Sequence, residues 1–253
     1  MALSTLIINA DDFGLSSIVN RAILASMEEG LVTSTSMMAN MPGFEHAVGL
    51  ARVHAKLAGR IGVHLNLTEG QPLSEPILDQ PLFCTNGWFG YRRNPLFYLG
   101  KKTREAVYLE FRAQLERVLN AGIKPTHLDS HHHIHTEWAL APLVRRLALE
   151  YKIPRIRLTR NIGAAPSYPK RLYKLVFNRW RLNGFRNTDY FGDIADMDHF
   201  SNRQGPEGKV IEIMVHPLFD EGGGLVDLDK RPLEPLLERI LCQPINLYPK
   251  LTY

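Results

Sequence analysis

The chain has 253 residues, of which 45% are hydrophobic and 22% charged, and Lys and Arg outnumber Asp and Glu by 30 to 26. That is the composition of an ordinary globular protein, and it excludes disordered and fibrous classes. A formal charge of +4 is too small to imply a nucleic-acid partner, and no run approaches the roughly 18 apolar residues of a membrane span. Cys84 and Cys242 form neither a CxxC nor an even-spaced framework, and no basic segment followed by a long apolar core opens the sequence. A reduced, cytoplasmic setting is therefore expected.

Short apolar runs alternate with longer helical ones. Residues 3–9 (LSTLIIN) read as a strand buried on both faces. Ser16 or Ser17 can cap a helix that runs to about Glu29 and closes at Gly30. Residues 33–39 read as the second strand, 44–57 as a helix and 61–67 as the third strand. The stretch 68–102 has little periodicity and is rich in Gly, Pro, Asn and aromatics, the mark of a functional lid or insertion. Residues 103–120 form the clearest helix, with Thr103 as cap, Ala106, Leu109, Leu115 and Leu119 as a core stripe, and Gly122 as its stop. Strands at 126–129, 156–158 and 210–215 and helices at 137–151 and 229–241 complete the pattern. The stretch 159–204 is a variable region that reads least clearly, although 168–182 has the spacing of a basic amphipathic helix. Six or more β–α units in alternation predict an α/β fold, a parallel sheet wrapped in helices, either as a barrel or as a doubly wound sheet.

Four polar clusters fall where strands end. Asp11-Asp12 follows the first strand, His64 lies in or just past the third, Asp129 to His135 (DSHHHIH) follows another, and His216-Pro217 ends VIEIMV. The carboxyl ends of parallel strands share one face, so these residues are predicted to converge. One carboxylate and two imidazoles with open positions suit a catalytic Zn²⁺ or related divalent ion. Each cluster has a plainer alternative: a helix cap for the aspartates, a core residue for His64, an exposed polar loop for the histidine run and a strand terminator for His216. Spacing alone leaves open which of His131, His132 and His133 faces inward.

Taken together these segments resemble the YdjC-like carbohydrate deacetylases, the family of chitooligosaccharide deacetylases and their relatives. The matching elements are NADDFGL at 9–15, VTSTSMM at 32–38, GVHLNLTEGQPL at 62–73, KPTHLDSHHHIH at 124–135 and MVHP at 214–217. The resemblance implies a distorted (β/α) barrel of about seven parallel strands, with its active site at their C-terminal ends, spanning the whole chain. It implies removal of N-acetyl groups from acetylated amino sugars with one divalent metal ion, Mg²⁺ or Zn²⁺. Mapped by motif, Asp12, His64 and His131 would be the metal ligands, Asp11 the base and His216 the partner acid. His132, His133 and His135 are candidates to orient those ligands from behind.

Trp88 and Tyr91 in the lid are candidate sugar-stacking residues, and Arg157 a candidate substrate contact, with lid packing and a structural ion pair as their alternatives. Residues 168–186 interleave Lys and Arg with Leu, Val, Phe and Trp, which suits a membrane-surface helix or an anionic substrate as well as a solvated face. A homodimer is compatible with the sequence. Two other functions share the features: a non-haem iron oxygenase with a two-histidine, one-carboxylate site, and a non-catalytic sugar-binding module. An acid–base pair formed by Asp11 and His216 argues for hydrolysis over both.

Overall fold

The computed structural model describes residues 4–93, 96–162, 168–196, 208–241 and 245–247. Leu3, Cys242 and the parts of the variable region at 163–167 and 197–204 lie outside them. The first strand, β1 (Ser4–Phe13), is central. It pairs in parallel with β2 (Ser34–Met37) and β8 (Val210–Val215), and its first residues pair with β11 (Ile245–Leu247). Beyond β2 come β3 (Ile61–Leu65) and β6 (Leu128–Ser130), and beyond β8 comes β7 (Tyr190–Asp193). All pairings in this seven-stranded sheet are parallel, as the alternation of elements predicts.

The two edges of the sheet are bridged by the extended segment 155–162. Leu128 exchanges backbone hydrogen bonds with Arg155 and Arg157 at 3.0 and 2.9 Å, and Asn161 donates to the Phe191 carbonyl at 2.9 Å. The sheet thus curls into a distorted (β/α) barrel. Gly192 on β7 serves this closure, because a Cβ there would lie 2.4 Å from the Ile162 side chain.

Alternation of side chains along the strands divides the molecule into two zones. Leu6, Ile8 and Ala10, then Ile61, Val63 and Leu65, then Ile211, Ile213 and Val215 join the hydrophobic core beneath the helices. The intervening residues Asn9, Asp11, His64, Asp129 and Glu212 are also buried, but they bond to one another or to Arg157 inside the barrel. Truncating an outer-face residue such as Ile8 to Ala is expected to cost about 2–5 kcal/mol, because a closely packed core relaxes only partly around the hole.

The outer ring holds α1 (Ser17–Glu28), α2 (Phe44–Val53), α3 (Lys101–Asn120), α4 (Ala141–Glu150), α5 (Tyr168–Arg181) and α6 (Leu233–Leu241). Ser16 caps α1 by accepting from the Val19 N–H at 3.2 Å. Four helix boundaries differ from the sequence expectation. The helix expected at 44–57 ends at Val53, and a separate 3-10 turn, Ala55–Leu57, takes its last residues. The third helix begins two residues before Thr103, and its N-cap is Gly100 with no side-chain bond; its buried face is Val107, Phe111, Leu115 and Val118, with Leu109 and Leu119 at the margin. The expected helix at 137–151 is shortened to α4 because a 3-10 turn, His131–Thr136, precedes it and Glu137 is diverted to side-chain bonding. The last helix starts at Leu233 rather than 229, just past Pro232, which cannot donate a backbone bond.

The lid at 68–102 carries a small hairpin, β4 (Cys84–Thr85) with β5 (Trp88–Phe89). Buried carboxylates clamp both its ends. Glu110 accepts from the Leu73 and Ser74 N–H groups, and Glu137 accepts from the Leu96 N–H at 3.0 Å and Arg93 Nε at 3.1 Å. A second short hairpin, β9 (Leu218–Phe219) with β10 (Leu225–Val226), follows β8.

Candidate active site

The site is assembled where β1, β3, β6 and β8 end. In a regular strand Asp11 and Asp12 would point to opposite faces. The register against β2 shifts between Ala10 and Phe13, and Asp12 adopts φ 70°, so both carboxylates stay on the barrel mouth. Gly14 completes the turn at φ +97°, where a Cβ would meet the Met38 carbonyl oxygen at 2.6 Å. His132 and His133 also take positive φ, 51° and 55°, so three left-handed non-glycine residues cluster around one point. Backbone strain of this kind persists where the surrounding structure enforces it.

Asp12 Oδ1 lies 3.2 Å from His64 Nε2 and 2.9 Å from His131 Nδ1. This oxygen is buried, yet it makes no hydrogen bond of proper geometry. The opposite edge of His64 is fixed, since Nδ1 sits 2.8 Å from Asp129 Oδ1 and 3.0 Å from Ser36 Oγ, which leaves Nε2 to face Asp12. Burial disfavours a charged imidazole at His64, but the Asp129 charge and the contacts with Asp12 outweigh it and raise its pKa to about 10. At Asp12 burial is likewise outweighed by the two imidazoles, which hold the carboxyl well below its usual range. One carboxylate oxygen and two imidazole nitrogens turned on a common point, with the His64 ring backed by Asp129 and Ser36, form a donor set that fits a divalent cation such as Zn²⁺ or a related ion. Glu69 Oε1 lies 3.6 Å from His131 Nε2 at the open side.

Beside this set is a buried ionic cluster. Arg157 bonds Asp11 through Nη1 and Nη2 at 2.6 and 2.7 Å, Asp129 through Nη1 at 2.8 Å, and Glu212 through Nε at 2.6 Å. Asn9 Nδ2 adds a bond to Asp11 Oδ1 at 2.8 Å and donates also to Ser36 Oγ, while Asn9 Oδ1 accepts from Ser34 Oγ. Burial would raise the Asp11 pKa, but the guanidinium prevails and keeps it ionised. Glu212 is pushed up by burial in spite of Arg157. Arg157, expected as a substrate contact, is 2% exposed and committed to three carboxylates, so it anchors the interior and offers no face to a ligand.

The remaining expected residues separate. His216 follows Val215, which pairs with Ala10 in parallel, so continuing that register sets its backbone level with Asp11; its N–H donates to Asp227 Oδ1 at 2.7 Å. The His132 ring stacks on His131 with centroids 4.0 Å apart, and its Nδ1 lies 3.0 Å from Thr68 Oγ1. His133 packs edge-on against Phe191, and His135 is buried with Nδ1 2.6 Å from Ser130 Oγ. Tyr91 is buried against Phe83, centroids 4.9 Å apart, which makes it lid core rather than a sugar platform. Trp88 is 55% exposed and, with Asn40, Glu69 and Gln71, lines a cleft of about 380 Å³. Asp129, Glu212, Asn9 and Ser36 carry much of the site's order; for Asn9 and Glu212 the sequence signal is a polar residue between apolar neighbours, whereas Ser36 sits in the polar run Ser34-Thr35-Ser36 and is not marked in that way.

Comparison with known proteins gives the family of the chain. The chain is 40% identical over 216 residues to a protein of Brevibacillus brevis named carbohydrate deacetylase, which covers 85% of this chain and 81% of that one. A protein of the same name from Geobacillus stearothermophilus is 40% identical over 218 residues, covering 84% and 79%. Among solved structures, a putative cellobiose-phosphate cleavage protein from Enterococcus faecalis superposes with a TM-score of 0.72 at 27% identity, covering 98% of this chain and 97% of that one. The family model described as YdjC-like protein matches residues 5–235, a span that contains every residue of the barrel mouth described above, and the chain belongs to that family.

Proposed function

We propose that the protein is a metal-dependent carbohydrate deacetylase that hydrolyses the N-acetyl group of an acetylated amino sugar and releases acetate. The observation that carries this reading is the convergence of Asp12, His64 and His131 on one point beside an Asp11 carboxylate locked by Arg157. The names of the relatives support the same reading. In it Asp12, His64 and His131 hold one divalent ion, Zn²⁺ or Mg²⁺. Such an ion supplies a lowered pKa for water and polarises an acetyl carbonyl.

The chain's own residues do the rest. Asp11 Oδ1 already accepts two hydrogen bonds, whereas Oδ2 accepts one from Arg157 and keeps a lone pair for a proton. Asp11 Oδ2 therefore accepts the proton of the attacking water as general base. His216, half-buried just past the end of the neighbouring strand, protonates the departing amine. Trp88, exposed beside Glu69, stacks on a sugar ring in the lid cleft.

The test is acetate release from N-acetylglucosamine and its oligomers by chelator-treated protein, with and without restored Zn²⁺ or Mg²⁺. Acetate that appears only with added metal supports the proposal. Oxygen consumption without acetate would point to the oxygenase chemistry that a two-histidine, one-carboxylate set also permits. Sugar binding without turnover would point to a binding module.

A further inference from the structure

We propose that α5 is a docking face for an anionic lipid bilayer surface. The inference concerns the outer ring and does not rest on the deacetylase reading. At about 100° per residue, Tyr168, Leu172, Leu175, Val176 and Arg179 fall on one face of α5. Four of them are large apolar residues left 79%, 48%, 63% and 41% exposed, in that order. The opposite face is the one used for packing, since Phe177 is fully buried and meets Trp138 at 6.0 Å between centroids. The helix is thus amphipathic in a direction its own barrel does not use.

Its charges identify the occupant. Every charged residue of α5 is cationic: Lys170, Arg171, Lys174, Arg179 and Arg181. A second copy of the chain seated symmetrically on this face would bring two sets of like charges together, which costs energy. A bilayer carrying anionic headgroups accepts both features, the apolar side chains at the acyl boundary and the cations at the phosphate layer. The lid extends the patch. Leu96 bonds through its backbone to Glu137 and Ala139, which sets exposed Phe97 and Tyr98 next in chain to the segment bearing Trp138, the residue on which α5 packs. No helix of the described residues is long and apolar enough to cross a membrane, so the contact proposed is with the surface.

Co-sedimentation of the full chain with vesicles tests this. The protein is expected to bind equimolar phosphatidylcholine–phosphatidylglycerol vesicles and to leave pure phosphatidylcholine vesicles, with binding that weakens as salt rises. The pair Arg171→Glu with Arg179→Glu, and separately the pair Leu172→Ser with Leu175→Ser, should each lower affinity by roughly 10-fold or more. The pair Lys56→Glu with Lys124→Glu makes the same change in net charge on exposed residues before β3 and β6, outside α5 and the lid, and should bind as the parent does. Absence of binding to anionic vesicles would overturn the proposal, as would equal losses in both charge-reversed pairs, which means adsorption by net charge alone. A dimer in solution that the Leu172 and Leu175 changes dissociate, without vesicle binding, would assign the face to a second copy instead.

Discussion

Arg157 grips the carboxylate of Asp11 with two nitrogens, at 2.6 and 2.7 Å, across 146 residues of sequence. A bidentate pair of this kind fixes the plane of the carboxylate as well as its charge. Glu212 and Asp129 hold the guanidinium in turn, so the orientation of the proposed base is set by the barrel interior and not by a mobile side chain.

Asp11→Asn keeps the size of the side chain but removes the proton acceptor. Turnover should drop by roughly 10²-fold or more while bound metal stays at the parent level, because Asp12 and not Asp11 faces the two imidazoles. Steady-state rates alongside elemental analysis separate the two roles. Metal lost from Asp11→Asn but kept by Asp12→Asn would mean that the two aspartates are exchanged.

Arg157→Gln strands three buried carboxylates around a neutral group. Leaving a buried charge uncompensated typically costs about 3–5 kcal/mol, so the urea midpoint should fall well below the parent's. A variant as stable as the parent would show that the cluster contributes nothing to the fold.

Acid should weaken the protein through two buried histidines that are not among the proposed cation ligands. Burial lowers the pKa of His127 to about 4 and of His135 to about 3, both below the unfolded value of 6.5. The unfolded chain therefore takes up protons first. The stability these groups allow is complete above pH 6.5 and falls as pH drops through 6.5 toward about 4, by about 1.4 kcal/mol per pH unit for each histidine. Urea midpoints measured across that window should decline less steeply in His127→Gln than in the parent, and parallel slopes would contradict this account.

Trp88 and Tyr91 should part company under substitution. Trp88→Ala is expected to raise KM for sugar oligomers more than for a monosaccharide, with little change in melting temperature, since the ring is largely exposed beside the cleft. Tyr91→Ala removes a buried ring from the lid and should lower the melting temperature by an amount equivalent to about 3–5 kcal/mol. The reverse pattern would place the sugar contact at Tyr91.

Much of this architecture is legible in the sequence because strand and helix periods differ so plainly. The run LIINA and the run VIEIMV declare buried strands, and the Asp and His residues just beyond them mark the mouth of the barrel. Other features depend on contacts that local spacing does not encode. The short β7 contains Gly192 and lacks an apolar run, because what that strand needs is room for Ile162 at the closure of the barrel. Thr103 has the chemistry of a cap, yet α3 extends past it to Lys101. Arg157 sits between Ile156 and Leu158, and Glu212 between Ile211 and Ile213, an alternation that marks inward-facing charge. Its meaning appears only when Glu212 is seen to pair with Arg157, and Arg157 with Asp11 from the first strand.

The central claim is that Asp12, His64 and His131 together hold one divalent cation, and metal content measured by elemental analysis tests it most directly. The parent purified with Zn²⁺ or Mg²⁺ should retain one ion per chain. Asp12→Asn, His64→Ala and His131→Ala, each checked for native circular dichroism, should all fall well below that, because two donors hold such an ion far less tightly than three. Full occupancy in all three folded variants would contradict the assignment and place any metal elsewhere in the molecule.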